Sequence, residues 1–236
     1  MAKITKEKFK TMHNVFDDFT NRNIYKLITQ GYFEGLVGPV SIGKESNIFS
    51  AKKKNGEMLI IKIHRLETSD FNNMFEYLKY DPRYMNVKKN KRKLIFSWAQ
   101  REFRNLVKAR EIGVKVPKPI GFKDNIIIEE FIGDKEPAKM LKDSIPKDLK
   151  DFFEKVVKNM RKLFKGGLVH TDLSSFNILN HKENPVFIDF SQCTTIENNN
   201  SEEYLRRDIK NVCNFFRKHG LNNDDEEVFE RIVKGK

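Results

Sequence analysis

The sequence predicts an α+β fold, with an antiparallel sheet and one helix in the amino-terminal half and mostly helices in the rest. Three observations lead there. Short β-rich runs at 36–41, 47–53 and 58–64, then at 120–123 and 125–131, are separated by turn residues, of which Asn55-Gly56 is the strongest hairpin signal. Apolar residues recur at helical spacing at 97–112, 147–165, 201–219 and 224–233. Between the second and third of these helical groups, 168–190 interleaves short apolar runs with His170, Asp172, Asn177 and Asp189.

A chain of 236 residues is long enough for one large domain or two lobes with a substantial core. Lys and Arg number 45 against 33 Asp and Glu, a formal charge of +12. Such a surface attracts polyanions such as RNA, a ribosomal particle or a nucleotide, although a lysine-rich proteome produces the same excess. The two cysteines, Cys193 and Cys213, have neither a CxxC partner nor a nearby histidine pair, so no disulfide framework or zinc site is implied. No apolar signal core opens the chain and no apolar run nears the roughly 18 residues of a membrane span. The expectation is a protein of the reducing cytoplasm, with no membrane and no DNA partner.

Taken in order, 6–30 carries Phe9, Met12, Phe16, Phe19, Ile24, Leu27 and Ile28 mostly three or four apart, a helical preface stopped by Gly31. The first two strands and their turn read GPVSIGKESNIF, in which Ser41, Gly43 and Lys44 offer a hydroxyl, backbone N–H groups and an ammonium to a phosphate. Lys62 lies in IIKIH, where burying its stem is costly unless the ammonium meets an anion or reaches water. From 65 to 96 the periodicity fades, and NVKKNKRK at 86–93 places five cations in eight residues, the pattern of a solvated basic loop or of a segment that orders on RNA. Ser97 is the expected N-cap of the next helix, on which Glu102 sits one turn from Trp98 and Leu106. Strands resume after Pro117 and Pro119, and NIIIEEFIGD carries the chain into a loop at Gly133. A helix at 147–165 with a broad apolar face ends at Gly166-Gly167. SQCTTIENNN reads as loop, and Ser201 with its following acids as the start of the penultimate helix.

The stretch 168–190 supplies groups for metal-bound phosphate. An acceptor for a hydroxyl or water proton suits Asp172, and hard oxygen ligands for Mg²⁺ suit Asn177 and Asp189. The spacing H-x-D-x-x-x-x-N followed by Asp-Phe matches the catalytic loop and metal-holding aspartate of protein kinases. In that arrangement Lys62 bridges the ATP phosphates, Glu102 pairs with Lys62, and backbone groups near Glu130 and Ile132 bind adenine.

Beyond those generic positions the chain resembles the type-one branch of the RIO family of atypical kinases, in the minimal form of archaea. The resemblance rests on GPVSIGKESNIF, KIHRLETSDF, EFIG, IDFSQ and EYLRRDIKNVCNFF. It implies a two-lobed protein-kinase-like fold, with a helical extension at 1–31, an N-lobe at 32–130 and a C-lobe at 131–236. Only 47 residues follow Asp189 and no A-P-E anchor is present, so the C-lobe is expected to lack the usual peptide-docking helices. The resemblance further implies ATP with Mg²⁺ or Mn²⁺, serine autophosphorylation, an aspartyl-phosphate on Asp189, and work on the immature small ribosomal subunit and its rRNA. The rival reading is an ATP-liganded, RNA-binding assembly factor with little phosphotransfer. HTDLSSFN departs from the family's loop, with Thr171 in place of a small residue and Ser175 in place of Glu.

Overall fold

The computed structural model describes residues 16–66, 71, 74, 75, 77 and 90–234. Residues 6–15 of the expected helical preface and 86–89 of the basic run lie outside them. Helix α1, Asp18–Thr29, is capped by the Asp17 carboxylate, which accepts from the Phe19 and Thr20 amides at 3.0 Å. It ends where Gly31 adopts φ +81°, a conformation that glycine takes without strain.

Five strands form one antiparallel sheet in the order β1-β2-β3-β5-β4: β1 Gly35–Ile42, β2 Ser46–Lys52, β3 Met58–His64, β4 Pro119–Lys123 and β5 Ile126–Glu130. The Asn55-Gly56 turn joins β2 to β3, with Gly56 at φ +87°. Period-two burial sets the register. Leu59, Ile61 and Ile63 of β3 and Ile126 and Ile128 of β5 pack with Ile24 and Leu27 of α1 in one core. Ile60, Lys62 and His64, with Ile127 and Glu129, therefore occupy the opposite face.

Helix α2, Lys91–Glu111, begins earlier than expected. Asn90, not Ser97, is its N-cap, accepting from the Lys93 amide at 3.2 Å, and residues 91–96 are helix rather than basic loop. The reason is tertiary: Leu94 and Ile95 are buried with Trp98 and Met74, which makes the first turn part of an apolar face.

The second core gathers α3 Leu149–Lys165, α4 Ser201–Lys218 and α5 Asp225–Val233 around two small ladders. These pair β6 Leu168–Val169 with β9 Thr194–Thr195, and β7 Ile178–Asn180 with β8 Pro185–Phe187. Strand β9 corrects the expectation of unbroken loop at 191–200; it forms because the returning chain completes hydrogen bonds on β6. Ser201 is likewise not the cap of α4: its hydroxyl donates to the Ile196 carbonyl at 2.9 Å, and the cap position falls to Asn200. No described helix is long and apolar enough to cross a membrane.

Phe216 is fully buried, with its ring 5.0 Å from Phe153 and 6.4 Å from Phe152. Phe216→Ala should cost about 3–5 kcal/mol, measured by urea unfolding; an unchanged midpoint would contradict the packing.

Candidate active site

Strand β3 carries Lys62 to the face opposite the amino-terminal core, and α2 presents Glu102 to it. The ammonium lies 2.5 Å from Glu102 Oε1 and 2.9 Å from Asp189 Oδ1. Burial alone would lower an ammonium's pKa, but the charges of Asp189 and Glu102 reverse this and hold Lys62 above the usual lysine range. His64, two residues along the same face, places Nε2 3.0 Å from the other Glu102 oxygen. A cavity of about 240 Å³ opens here, lined among others by Lys44, Ser46, Lys62, Trp98 and Asp189.

The loop after β6 is held from behind by Asp208 of α4, a buried carboxylate that accepts the Thr171 and Leu173 amides, both at 2.8 Å. Burial nevertheless pushes its pKa up to about 7, against the two amides that favour the charged form. Thr171 adopts φ +70°, unfavourable for a β-branched residue. Its Oγ1 donates to the Gln192 carbonyl at 3.0 Å and its own carbonyl accepts from Arg207, so the conformation is fixed on three sides. Asp172 follows, exposed, its pKa raised by desolvation and by the nearby charge of Asp189. Asn177 donates its amide nitrogen to the Asp172 carbonyl at 2.8 Å and to Oδ2 at 3.1 Å.

Asp189 also has positive φ, +61°. Desolvation would raise its pKa, but the Lys62 charge and the Ser191 hydroxyl carry it well below the usual carboxylate range. Among the described residues every bond to the carboxylate falls on Oδ1: Lys62 at 2.9 Å, the Ser191 hydroxyl at 2.7 Å and the Ser191 amide at 3.4 Å. Helix α2 grips the chain just beyond. Fully buried Arg101 donates to the carbonyls of Ser191 at 3.0 Å and Gln192 at 3.4 Å, and Asn105 to those of Phe190 at 3.1 Å and Cys193 at 2.9 Å.

These positions fit Mg²⁺. The Asn177 nitrogen is committed to Asp172, leaving its hard carbonyl oxygen outside those bonds, and Asp189 Oδ2 lies outside the three on Oδ1. Among the described residues no group of three His, Cys, Asp or Glu side chains is placed to hold a metal alone. Mg²⁺ takes one or two protein ligands and completes its shell with phosphate and water, a number that Asn177 and Asp189 can supply.

The flap and linker complete the expected set. Ser41 lies at the end of β1 opposite Ile48, and the Gly43 amide donates to the Ser46 carbonyl at 2.9 Å. A Cβ at Gly43 would stand 2.9 Å from that same carbonyl, so the turn requires glycine. Lys44 lines the cavity. In the linker, the Glu130 carboxylate accepts from the Lys118 amide at 2.9 Å. The Glu130 amide is bonded to the Lys118 carbonyl and the Ile132 carbonyl to the Ala138 amide, which leaves the Glu130 carbonyl and Ile132 amide outside those bonds.

The structure thus brings Lys62, Glu102 and Asp189 into direct contact and joins Asp172 to Asn177, while Ser41, Gly43 and Lys44 lie in the flap and Glu130 and Ile132 in the linker. Sequence reasoning missed Arg101, Asn105, His64 and Asp208 as supports. The signal for Asp208 was present: an acid standing between Leu205, Ile209 and Val212 on the apolar face of a helix.

A sheet-plus-helix unit and a helical unit with a lysine, a glutamate and two aspartates converging between them define a protein-kinase-like architecture. A family model described as the RIO domain matches residues 47–229. The RIO-type serine/threonine-protein kinase Rio1 of Haloferax volcanii is 39% identical over 96% of this chain and 79% of its own length. Its namesake from Methanocaldococcus jannaschii is 36% identical over 96% of this chain and 78% of its own. The chain belongs to the RIO family. In fold it resembles the Rio2 kinase of Chaetomium thermophilum, solved as an ADP/Mg²⁺-phosphoaspartate complex, with TM-score 0.69, 22% identity, and coverage of 90% of this chain and 69% of that one.

His170 anchors the catalytic stretch, its Nε2 donating to the Ile188 carbonyl at 3.0 Å. Burial lowers its pKa from 6.5 to about 4. Between those values the unfolded chain takes up a proton that the fold refuses. The stabilisation is therefore complete above pH 6.5 and is lost as pH falls through 4, a change of about 3 kcal/mol. Denaturant unfolding at pH 7 and pH 4 should show this difference in the wild type and a shallower one in His170→Gln; equal acid slopes would refute it.

Proposed function

We propose that this protein is an Mg²⁺-ATP-dependent serine kinase and ATPase acting on the immature small ribosomal subunit in the cytoplasm. One observation carries the catalytic part: a buried lysine bound at once to a helical glutamate and to an aspartate whose second oxygen takes no bond among the described residues. Membership of the RIO family and the kinase names of its relatives support it. The charge of +12 supports a polyanionic partner.

In this reading Glu102 keeps Lys62 aimed at the α- and β-phosphates. Ser41, Gly43 and Lys44 cover the phosphates from the flap, and the Glu130 carbonyl and Ile132 amide read adenine. Asp172 accepts the proton of the attacking hydroxyl, and its raised pKa makes it a better base than a solvated aspartate. Asn177 and Asp189 would hold Mg²⁺, which when bound would neutralise charge developing on the transferred phosphoryl group. For ATP hydrolysis, an Asp189 oxygen attacks the γ-phosphorus as its bond to the β,γ-bridging oxygen breaks. Water then cleaves the mixed anhydride, releasing phosphate and restoring the carboxylate. The phosphoaspartate in the Rio2 kinase complex supports this route by analogy of fold.

Asp172→Ala and Asp189→Asn should each lower ATP turnover about 100-fold or more. Wild-type turnover in both would sink the assignment. Labelled phosphate should remain on acid-quenched wild-type protein and be released by hydroxylamine, whereas absence of label removes the aspartyl-phosphate step. ATP consumption should rise on addition of immature small-subunit particles, and no rise argues against that partner.

A further inference from the structure

Glu129 is an acid where the sheet offers it nothing. It is the penultimate residue of β5, and its neighbours Ile126 and Ile128 turn into the amino-terminal core, so it shares the other face with Ile127. In the ladder Ile127 lies opposite Lys62 and Glu129 opposite Ile60, which makes Glu129 the diagonal neighbour of Lys62, roughly 7–8 Å away. The face it occupies is therefore the one that meets Asp189. The next residue, Glu130, opens the linker.

The residue is only 8% exposed, and among the described residues no hydrogen bond or ion pair reaches its carboxyl group. Its surroundings bear this out: burial, with Glu102 adding to it and Lys62 opposing, pushes the pKa up to about 8. A leucine or methionine would fill such a place without the desolvation penalty of an unpaired acid. The fold alone thus gives no reason for the carboxyl, whereas a ligand in the cleft supplies a partner.

That ligand's chemistry follows from position. If the Glu130 carbonyl takes one proton of a purine 6-amino group, the residue before it, deeper along β5 and diagonal to the phosphate-binding lysine, lies toward the other. Resting on the nucleotide reading above, we propose that Glu129 accepts the second proton of the adenine 6-amino group and so selects adenine over 6-oxopurines at this site. The ionised carboxyl only accepts, whereas the neutral acid could also donate to a 6-oxo group, so the nucleotide affinities are compared above pH 8, where the carboxyl is ionised. A 6-oxo group brings an acceptor against that oxygen and leaves both groups unpaired, which is how a polar site rejects an analogue.

The test compares the dissociation constants of ADP and inosine diphosphate, with Mg²⁺, for the full-length wild type, Glu129→Leu and Glu129→Gln by titration calorimetry. The wild type should prefer ADP by about tenfold or more, the value of one good hydrogen bond. Glu129→Leu should bring the two constants within about threefold, and Glu129→Gln should gain affinity for inosine diphosphate, because its amide can donate to the 6-oxo group. An unchanged preference in Glu129→Leu overturns the assignment of Glu129 while leaving the nucleotide site standing. Failure of the wild type to bind either nucleotide overturns the functional reading beneath it. Thermal unfolding supplies a second check. Glu129→Leu should melt no lower than the wild type, and a clear loss would mean that the carboxyl is paired within the fold, against the proposal.

Discussion

The whole arrangement depends on one buried ammonium. Lys62 enters the cleft from β3 and binds carboxylates from α2 and from the turn after β8, so a single charge joins three elements that are far apart in sequence. Buried ion clusters add little net stability, because desolvation of each group offsets most of the attraction. Their effect is on geometry. With Glu102 1% exposed and Lys62 7%, removing either partner strands a charge out of water, and only one packing of sheet against helix avoids that. His64 binds the remaining Glu102 oxygen and fixes the rotamer from the other side.

The strands, the hairpin at Asn55-Gly56 and the five chemically active residues were legible because each follows a local rule: period-two burial, turn chemistry, or motif spacing. What was not legible depends on contacts at a distance. Asn90 and Ser97 are equally good caps in isolation, and the choice fell to Asn90 because Leu94 and Ile95 find an apolar surface to cover. Ser201 looked like a cap until its hydroxyl found the Ile196 carbonyl. Strand β9 is two residues long and exists only because β6 lies beside it. Asp208 could be noticed as an acid on an apolar stripe, but its purpose is visible only once the Thr171 and Leu173 amides arrive from 37 and 35 positions away.

Two residues of the site, Thr171 and Asp189, adopt positive φ without being glycine, a strain of order 1–3 kcal/mol each. Both are held by several bonds, Thr171 by Asp208, Arg207 and the Gln192 carbonyl, and Asp189 by Lys62 and Ser191. Holding them so keeps the two carboxylates aimed before any ligand arrives, and reorganisation is then not left to the moment of reaction. The threonine hydroxyl, a departure within the catalytic loop, is used structurally rather than chemically.

The grip of α2 on the segment after Asp189 has a consequence for control. Arg101 and Asn105 together satisfy four carbonyls there, two of them through a guanidinium that is wholly buried. Rotating the helix outward would break all four bonds and strand a cation in an apolar interior, at a cost of several kcal/mol. A switch that worked by swinging this helix would have to break all four of these bonds. Changes that leave the helix seated, and Glu102 on Lys62, act instead at the doorway: on what is admitted to the cleft, and when it is allowed to leave.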